Sequence, residues 1–219
     1  MEHCRTEANK TLTSGDKIIL IGNPNVGKSV IFNFLTGKYV TVSNYPGTTV
    51  EVSTGTTVIH GKKVQVVDTP GVNSLIPMSE DEKVTRDILL REPQPHLVQV
   101  MDAKNLRRGL LISLQLLEMG LPFLVVLNMW DEAKSRGIEI QTQTLSELLE
   151  VPIFKTVATR RKGLEKIKGN LQTLSPASST LPYPEAIEAG VSSMIDLLPE
   201  APISKRSLAL MLLAGDESL

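Results

Sequence analysis

At 219 residues the chain has room for one full-sized domain and a smaller addition, and its 23 Lys and Arg against 24 Asp and Glu leave a net charge of -1. That balance excludes a whole-molecule field able to gather nucleic acid or anionic lipid. Cys4, the single cysteine, excludes a disulfide framework and a thiolate metal centre. No stretch approaches the roughly 20 apolar residues of a membrane-spanning helix, so the chain as given is expected to be soluble.

Residues 1–16 are polar, lack an apolar signal core and are expected to form a disordered leader. Beyond them, short β-rich runs at 18–21, 64–67, 97–101, 123–127 and 151–157 alternate with helical patterns, which implies parallel strands covered by helices. Between the first two runs Val50, Val52, Thr54, Thr56 and Val58 occupy alternate positions, and His60-Gly61-Lys62 supplies a turn. This predicts an antiparallel edge hairpin. The expected fold is therefore α/β, a mostly parallel six-stranded sheet with helices on both faces. Asn105 should cap a helix striped by Leu106, Leu110, Leu114 and Leu117, with Gly120 after its end.

The Ser/Pro-rich stretch at 175–184 neither extends a helix nor supports a central strand. It divides the chain into a main domain over 17–175, a linker over 176–184 and a small all-helical domain over 185–219. In the last, Ile187, Val191, Met194, Ile195 and Leu198 follow helical spacing, and 207–213 is a second apolar segment.

Gly22-Asn23-Pro24-Asn25-Val26-Gly27-Lys28-Ser29 follows the first strand and, with Val30, opens a helix. Glycines let consecutive backbone N–H groups curl around phosphates, and a helix N-terminus adds favourable partial charge. Lys28 is expected at the β/γ-phosphates and Ser29 at Mg²⁺. This loop alone leaves ATP and GTP equally open.

Asn128-Met129-Trp130-Asp131 ends a buried strand, where open α/β sheets bind ligands. The Asp131 carboxylate can accept from guanine N1–H and its exocyclic amine, a donor pair adenine lacks, while the Asn128 amide braces ring and loop. GTP or GDP is therefore the expected nucleotide. Val157, Ala158 and Thr159 follow the last strand; the Ala158 N–H could meet guanine O6, or Ala158 could simply be the small residue of a tight turn.

Asp68-Thr69-Pro70-Gly71 ends another strand, so Asp68 can hold Mg²⁺ through water and the Gly71 N–H can face the γ-phosphate. Thr49, with Thr48 as its rival, lies where a hydroxyl could close on Mg²⁺ when γ-phosphate is present. Val72 stands where many GTPases carry a water-orienting glutamine. Catalysis is then expected from backbone groups around 42–49 and from K⁺ held partly by Asn25. Asn25 is alternatively a turn residue.

On these residues the chain resembles the N-terminal cytosolic part of the ferrous iron transport protein B family across nearly everything after Asp16. The likeness extends through Val42-Ser43-Asn44-Tyr45-Pro46-Gly47-Thr48-Thr49-Val50-Glu51, Ser79-Glu80-Asp81-Glu82-Lys83 and Leu114-Gln115-Leu116-Leu117-Glu118. The resemblance implies a P-loop GTPase of Ras-like fold on the cytoplasmic face of the bacterial inner membrane, joined in the full-length protein to a membrane-embedded Fe²⁺ permease, with self-association left open and no nucleic-acid partner. By position it makes Thr49 the Mg²⁺-sensing threonine and Asn25 the asparagine of potassium-stimulated hydrolysis. Asn73 and Val157 depart from the pattern, where an aromatic and a serine are usual.

Two other classes share the nucleotide motifs. A GTPase acting on RNA or ribosomes needs a basic surface, which Glu185, Glu188 and Asp196 in the tail argue against. A nucleotide-gated binding module would bind without appreciable hydrolysis. The run Arg160-Arg161-Lys162 reads as a solvated face or a headgroup contact, and His3, His60 and His96 lack metal-ligand spacing.

Overall fold

Alternation along the buried strands decides the layering. The computed structural model describes residue 13 and residues 15–37, 40–93, 95–171, 174–176 and 180–219. Most of the expected leader, and residues 177–179 of the expected linker, lie outside the described residues. The strands are β1 (Lys17–Gly22), β2 (Val40–Asn44), β3 (Glu51–Ile59), β4 (Lys62–Asp68), β5 (His96–Asp102), β6 (Phe123–Asn128) and β7 (Ile153–Lys155). Among the described residues they form a seven-stranded sheet in the order β2-β3-β4-β1-β5-β6-β7. β3 runs antiparallel to β2 and β4, and the other pairings are parallel.

Ile19, Ile21, Val67, Leu97, Met101, Val125 and Leu127 join one core. It is covered by α2 (Glu80–Arg91), α3 (Leu106–Met119), α4 (Trp130–Ser135) and α5 (Thr142–Leu149). Their neighbours Ile18, Leu20, Val66, Val98, Val100, Leu124 and Val126 face a second core. That face is covered by α1 (Lys28–Thr36) and α6 (Leu164–Asn170). Strands buried on both sides must be apolar at every position, which is why these runs read as continuous rather than alternating.

The expected strand count of six is corrected to seven. The addition, β2, is exposed along its whole length, so no buried stripe marked it; pairing from Val40↔Gly55 to Asn44↔Glu51 holds it. β2, not β3, is the edge. The expected stripe on β3 also needs correction, since Val58 is 63% exposed while Ile59 is buried. Val50 and Val52 face the first core, whereas Ile59 faces the second, because different helices cover the two ends of the strand. The final strand shortens from 151–157 to β7. Asn105 precedes α3 but its side chain makes no capping hydrogen bond.

The tail forms α7 (Glu185–Met194), a 3-10 turn at Ile195–Leu197 and α8 (Lys205–Leu213). Ile203, Leu208 and Met211 enter the first core beside α3. Each such side chain contributes about 1.5–3 kcal/mol on full burial. The Ser204 N–H donates to the Met119 carbonyl at 2.9 Å. Arg206 joins Glu118 of α3 (3.0 Å), Glu188 of α7 (2.7 Å) and the Leu181 carbonyl (2.9 Å).

Arg86 on α2 is fully buried and bonds the carboxylates of Asp87 and Asp216 and the Ser218 hydroxyl. Burial pushes the Asp216 carboxyl up, but Arg86 and Ser218 bring it below the usual range. Asp216→Ala should therefore cost about 3 kcal/mol in urea denaturation, because it strips a buried guanidinium of a carboxylate. A carboxyl with a lowered folded pKa contributes stability above its unfolded pKa and loses it as pH falls through the folded value. The gap between wild type and variant should accordingly begin to close below about pH 5 and keep closing as pH falls through the lowered folded value.

Candidate nucleotide-binding site

β1, β4 and β6 end on one edge of the sheet, where the chain order reverses around β1. Open α/β sheets bind ligands in that crevice. The loop after β1 curls so that the Lys28 ammonium returns to donate to the carbonyls of Gly22 (3.1 Å) and Asn23 (3.2 Å). Burial lowers the Lys28 pKa and the Asp68 charge raises it. Gly27 has φ +94°, and a Cβ there would lie 2.4 Å from Asn128 Nδ2. Only glycine fits both constraints.

Asp68 ends β4 with its carboxyl pushed up by burial and pulled down by the Ser29 hydroxyl and by Lys28. Its Oδ1 is buried without a hydrogen-bond partner among the described residues. A dry, unpartnered carboxylate oxygen beside a hydroxyl suits a hard divalent cation such as Mg²⁺, which takes one or two protein oxygens and leaves the rest to phosphate and water. No cluster of three His, Cys, Asp or Glu that could hold a metal occurs among the described residues.

Asn128 is buried and uses both ends of its amide. Nδ2 donates to the Val26 carbonyl at 2.9 Å, and Oδ1 accepts from Thr156 Oγ1 at 3.2 Å and from the Ala158 N–H at 2.9 Å. The Ala158 N–H, expected to be open to a base, is therefore engaged by Asn128. The Val157 N–H is likewise engaged, by the Lys162 carbonyl at 3.1 Å, and Thr159 is exposed. Met129 adopts φ 58°, which starts α4 with Asp131 half-exposed at its mouth. Arg160 Nη1 lies 3.7 Å from Asp131 Oδ2, and Lys155 sits over the Trp130 ring at 4.7 Å.

Of the two candidate threonines, Thr48 is committed locally: its hydroxyl donates to the Tyr45 carbonyl (3.0 Å) and accepts from the Val50 N–H (3.2 Å). Thr49 is exposed. Asn25, with φ 63°, is exposed, as are Ser29 and Val30, and its side chain has no hydrogen bond among the described residues. Gly71 packs so closely on Pro24 that a Cβ would lie 2.7 Å from the Pro24 Cα.

Sequence reading missed the residues that hold the segment after Gly71. Glu82 Oε1 accepts from the N–H groups of Asn73 (3.1 Å) and Ser74 (3.2 Å), and Oε2 from that of Met78 (2.9 Å). Ser79-x-x-Glu82 has the spacing of a capping box, and Ser79 does accept from the Glu82 N–H at 3.3 Å; the carboxylate turns to the loop instead. Thr156, the partner of Asn128, carried no signal beyond following a strand.

The family model described as ferrous iron transport protein B matches residues 16–171. The Fe(2+) transporter FeoB of Staphylococcus aureus (strain MSSA476) is 36% identical over 182 residues, 82% of this chain and 27% of that protein. That of Escherichia coli (strain K12) is 36% identical over 215 residues, 94% of this chain and 27% of that protein. The chain thus spans about a quarter of the length of these curated relatives. Among solved structures, the cytosolic domain of the T. maritima FeoB iron transporter in its GDP form II has a TM-score of 0.83 at 33% identity, covering 93% of this chain and 83% of that one. The GMPPNP form of the same domain also has a TM-score of 0.83, at 34% identity, covering 93% and 82%. No helix among the described residues is long and apolar enough to cross a membrane. The match over residues 16–171 takes in the loop before α1, the end of β4 and the turn after β6, and the chain belongs to the ferrous iron transport protein B family.

Proposed function

We propose that this chain binds and hydrolyses GTP as the cytosolic domain of a ferrous iron transporter at the cytoplasmic face of the bacterial inner membrane. The observation that carries the reading is the gathering of Lys28, the unpartnered Asp68 oxygen and the Asn128-to-Asp131 turn at one edge of the sheet. GDP and GMPPNP in the T. maritima relatives support it. The division into a main domain over 17–175, a linker over 176–184 and a helical unit over 185–219 belongs to the same proposal.

GTP lies with its phosphates along the loop from Asn23 through Val30. Lys28 exchanges the carbonyls of Gly22 and Asn23 for the β/γ-phosphates, which relieves the cost of a buried ammonium. Asp68, Ser29 and Thr49 would hold Mg²⁺, which would supply charge neutralisation at the phosphates. Gly71 turns its N–H to the γ-phosphate, and Thr49 rather than Thr48 is free to close. Asp131 reads the guanine edge, Asn128 keeps Val26 and Ala158 in register beneath it, and Met129, Val157 and Thr159 border the base.

Val72 is buried and cannot orient water, so the main chain near 42–49 positions the nucleophile. The Asn25 amide would hold K⁺ in part, and the partner in transport is the membrane-embedded permease of the full-length protein.

Lys28→Ala should weaken GDP and GTP binding roughly 10- to 100-fold, the worth of a charge-assisted contact in a dry site, measured by titration calorimetry. Retained affinity would remove Lys28 from the site. Asp131→Asn replaces an acceptor by a donor and should shift preference from guanine toward xanthine nucleotides in competition binding; an unchanged order means the base is read elsewhere. Phosphate release from GTP should exceed that from ATP and run faster in K⁺ than in Na⁺ buffer. Equal rates in the two salts would eliminate the role of Asn25.

A further inference from the structure

Asn73 is exposed, yet its side-chain oxygen is the most heavily used acceptor beside the site. It receives the Asn23 Nδ2–H at 3.3 Å and two N–H groups of Arg108, Nε at 3.0 Å and Nη2 at 2.7 Å. Three segments meet at that one atom: the loop before α1, the segment after Gly71, and α3. The adjoining Val72 is tied to the same loop, its N–H donating to the Gly22 carbonyl at 3.1 Å and its carbonyl accepting from Asn23 Nδ2 at 3.0 Å. The Asn73 main-chain N–H is held separately, by Glu82.

Asn23 also lends its carbonyl to Lys28 Nζ, so a chain of hydrogen bonds runs from a surface arginine to the lysine of the phosphate loop. Arg108 and its neighbour Arg107 border one surface groove with Asn73, Asn105 and Leu111. Neither arginine has a carboxylate partner among the described residues, so the Arg108 fork spends its hydrogen bonds on the neutral Asn73 amide. A guanidinium donates two N–H groups in fixed geometry, which fixes direction as well as distance.

We propose that Asn73 and Arg108 are positioning residues for GTP cleavage: a surface latch that holds Gly71 and Val72 against the phosphate loop and sets the rate of the chemical step, not nucleotide affinity. This rests on the GTPase reading above. Gly71 touches Pro24 directly, so freeing the two residues after it lets its N–H wander from the γ-phosphate. Misplacement by about 1 Å can cost up to about 100-fold in rate while leaving binding intact.

The test combines single-turnover GTP cleavage, GDP affinity and amide hydrogen exchange over residues 71–78 in the GDP-bound protein. Asn73→Ala and Arg108→Ala should each slow cleavage about 5- to 20-fold, with GDP affinity within about twofold, and should speed exchange in that segment. Because both break one latch, the double variant should be no slower than either single one. Arg108→Lys keeps the charge but loses the fork and should behave like Arg108→Ala, whereas Asn73→Asp keeps the acceptor and should recover about half or more of the lost rate. Unchanged cleavage in both alanine variants, additive losses, or affinity falling in step with rate would each overturn the latch. Should the wild-type protein bind GTP without cleaving it, the GTPase reading falls on its own; unaltered exchange in the alanine variants then overturns the latch independently.

Discussion

The site depends on one buried amide. Asn128 donates to Val26 in the phosphate loop and accepts from Thr156 and Ala158 beyond β7, so three segments far apart in sequence are set by a single planar group. Its position also forbids a side chain at residue 27. A buried amide left half-satisfied costs about 1–3 kcal/mol per unpaired group. Pairing at both ends of the amide is therefore what ties the loop before α1 to the turn after β7.

Around that anchor the charged groups are less comfortable. Burial works against both the Lys28 ammonium and the Asp68 carboxylate, and each partly relieves the other. Lys28 donates to two loop carbonyls, while one Asp68 oxygen has no hydrogen-bond partner among the described residues. Under the proposed function, such a pair suits a ligand bringing negative phosphates and a hard cation together, since either alone would leave one of the two charges uncompensated in a dry surrounding.

α2 carries a second organising role because residues four apart share one helical face. Glu82 takes three N–H groups of the segment after Gly71, and Arg86 one turn later bonds Asp216 beyond α8. Arg206, from the other side, bonds Glu118 of α3 and Glu188 of α7. The tail is thus fastened to the two helices that border the segment after Gly71, by buried or half-buried charge pairs as well as by Leu208 and Met211 in the common core.

The sequence by itself determined the mostly parallel sheet with helices on both faces and the placing of the three candidate motifs after β1, β4 and β6. Apolar periodicity and glycine spacing are local, and each motif directly follows its own strand. It did not contain β2, because an edge strand exposed on both faces bears no buried stripe and exists only through its pairing with β3. Nor could it assign Glu82 to the loop, Asn73 to Arg108, or Arg86 to Asp216. Those contacts join residues 4 to 130 positions apart, and only the folded chain decides which polar groups arrive beside one another, the Arg86–Asp216 pair in a place too dry to leave either unpaired.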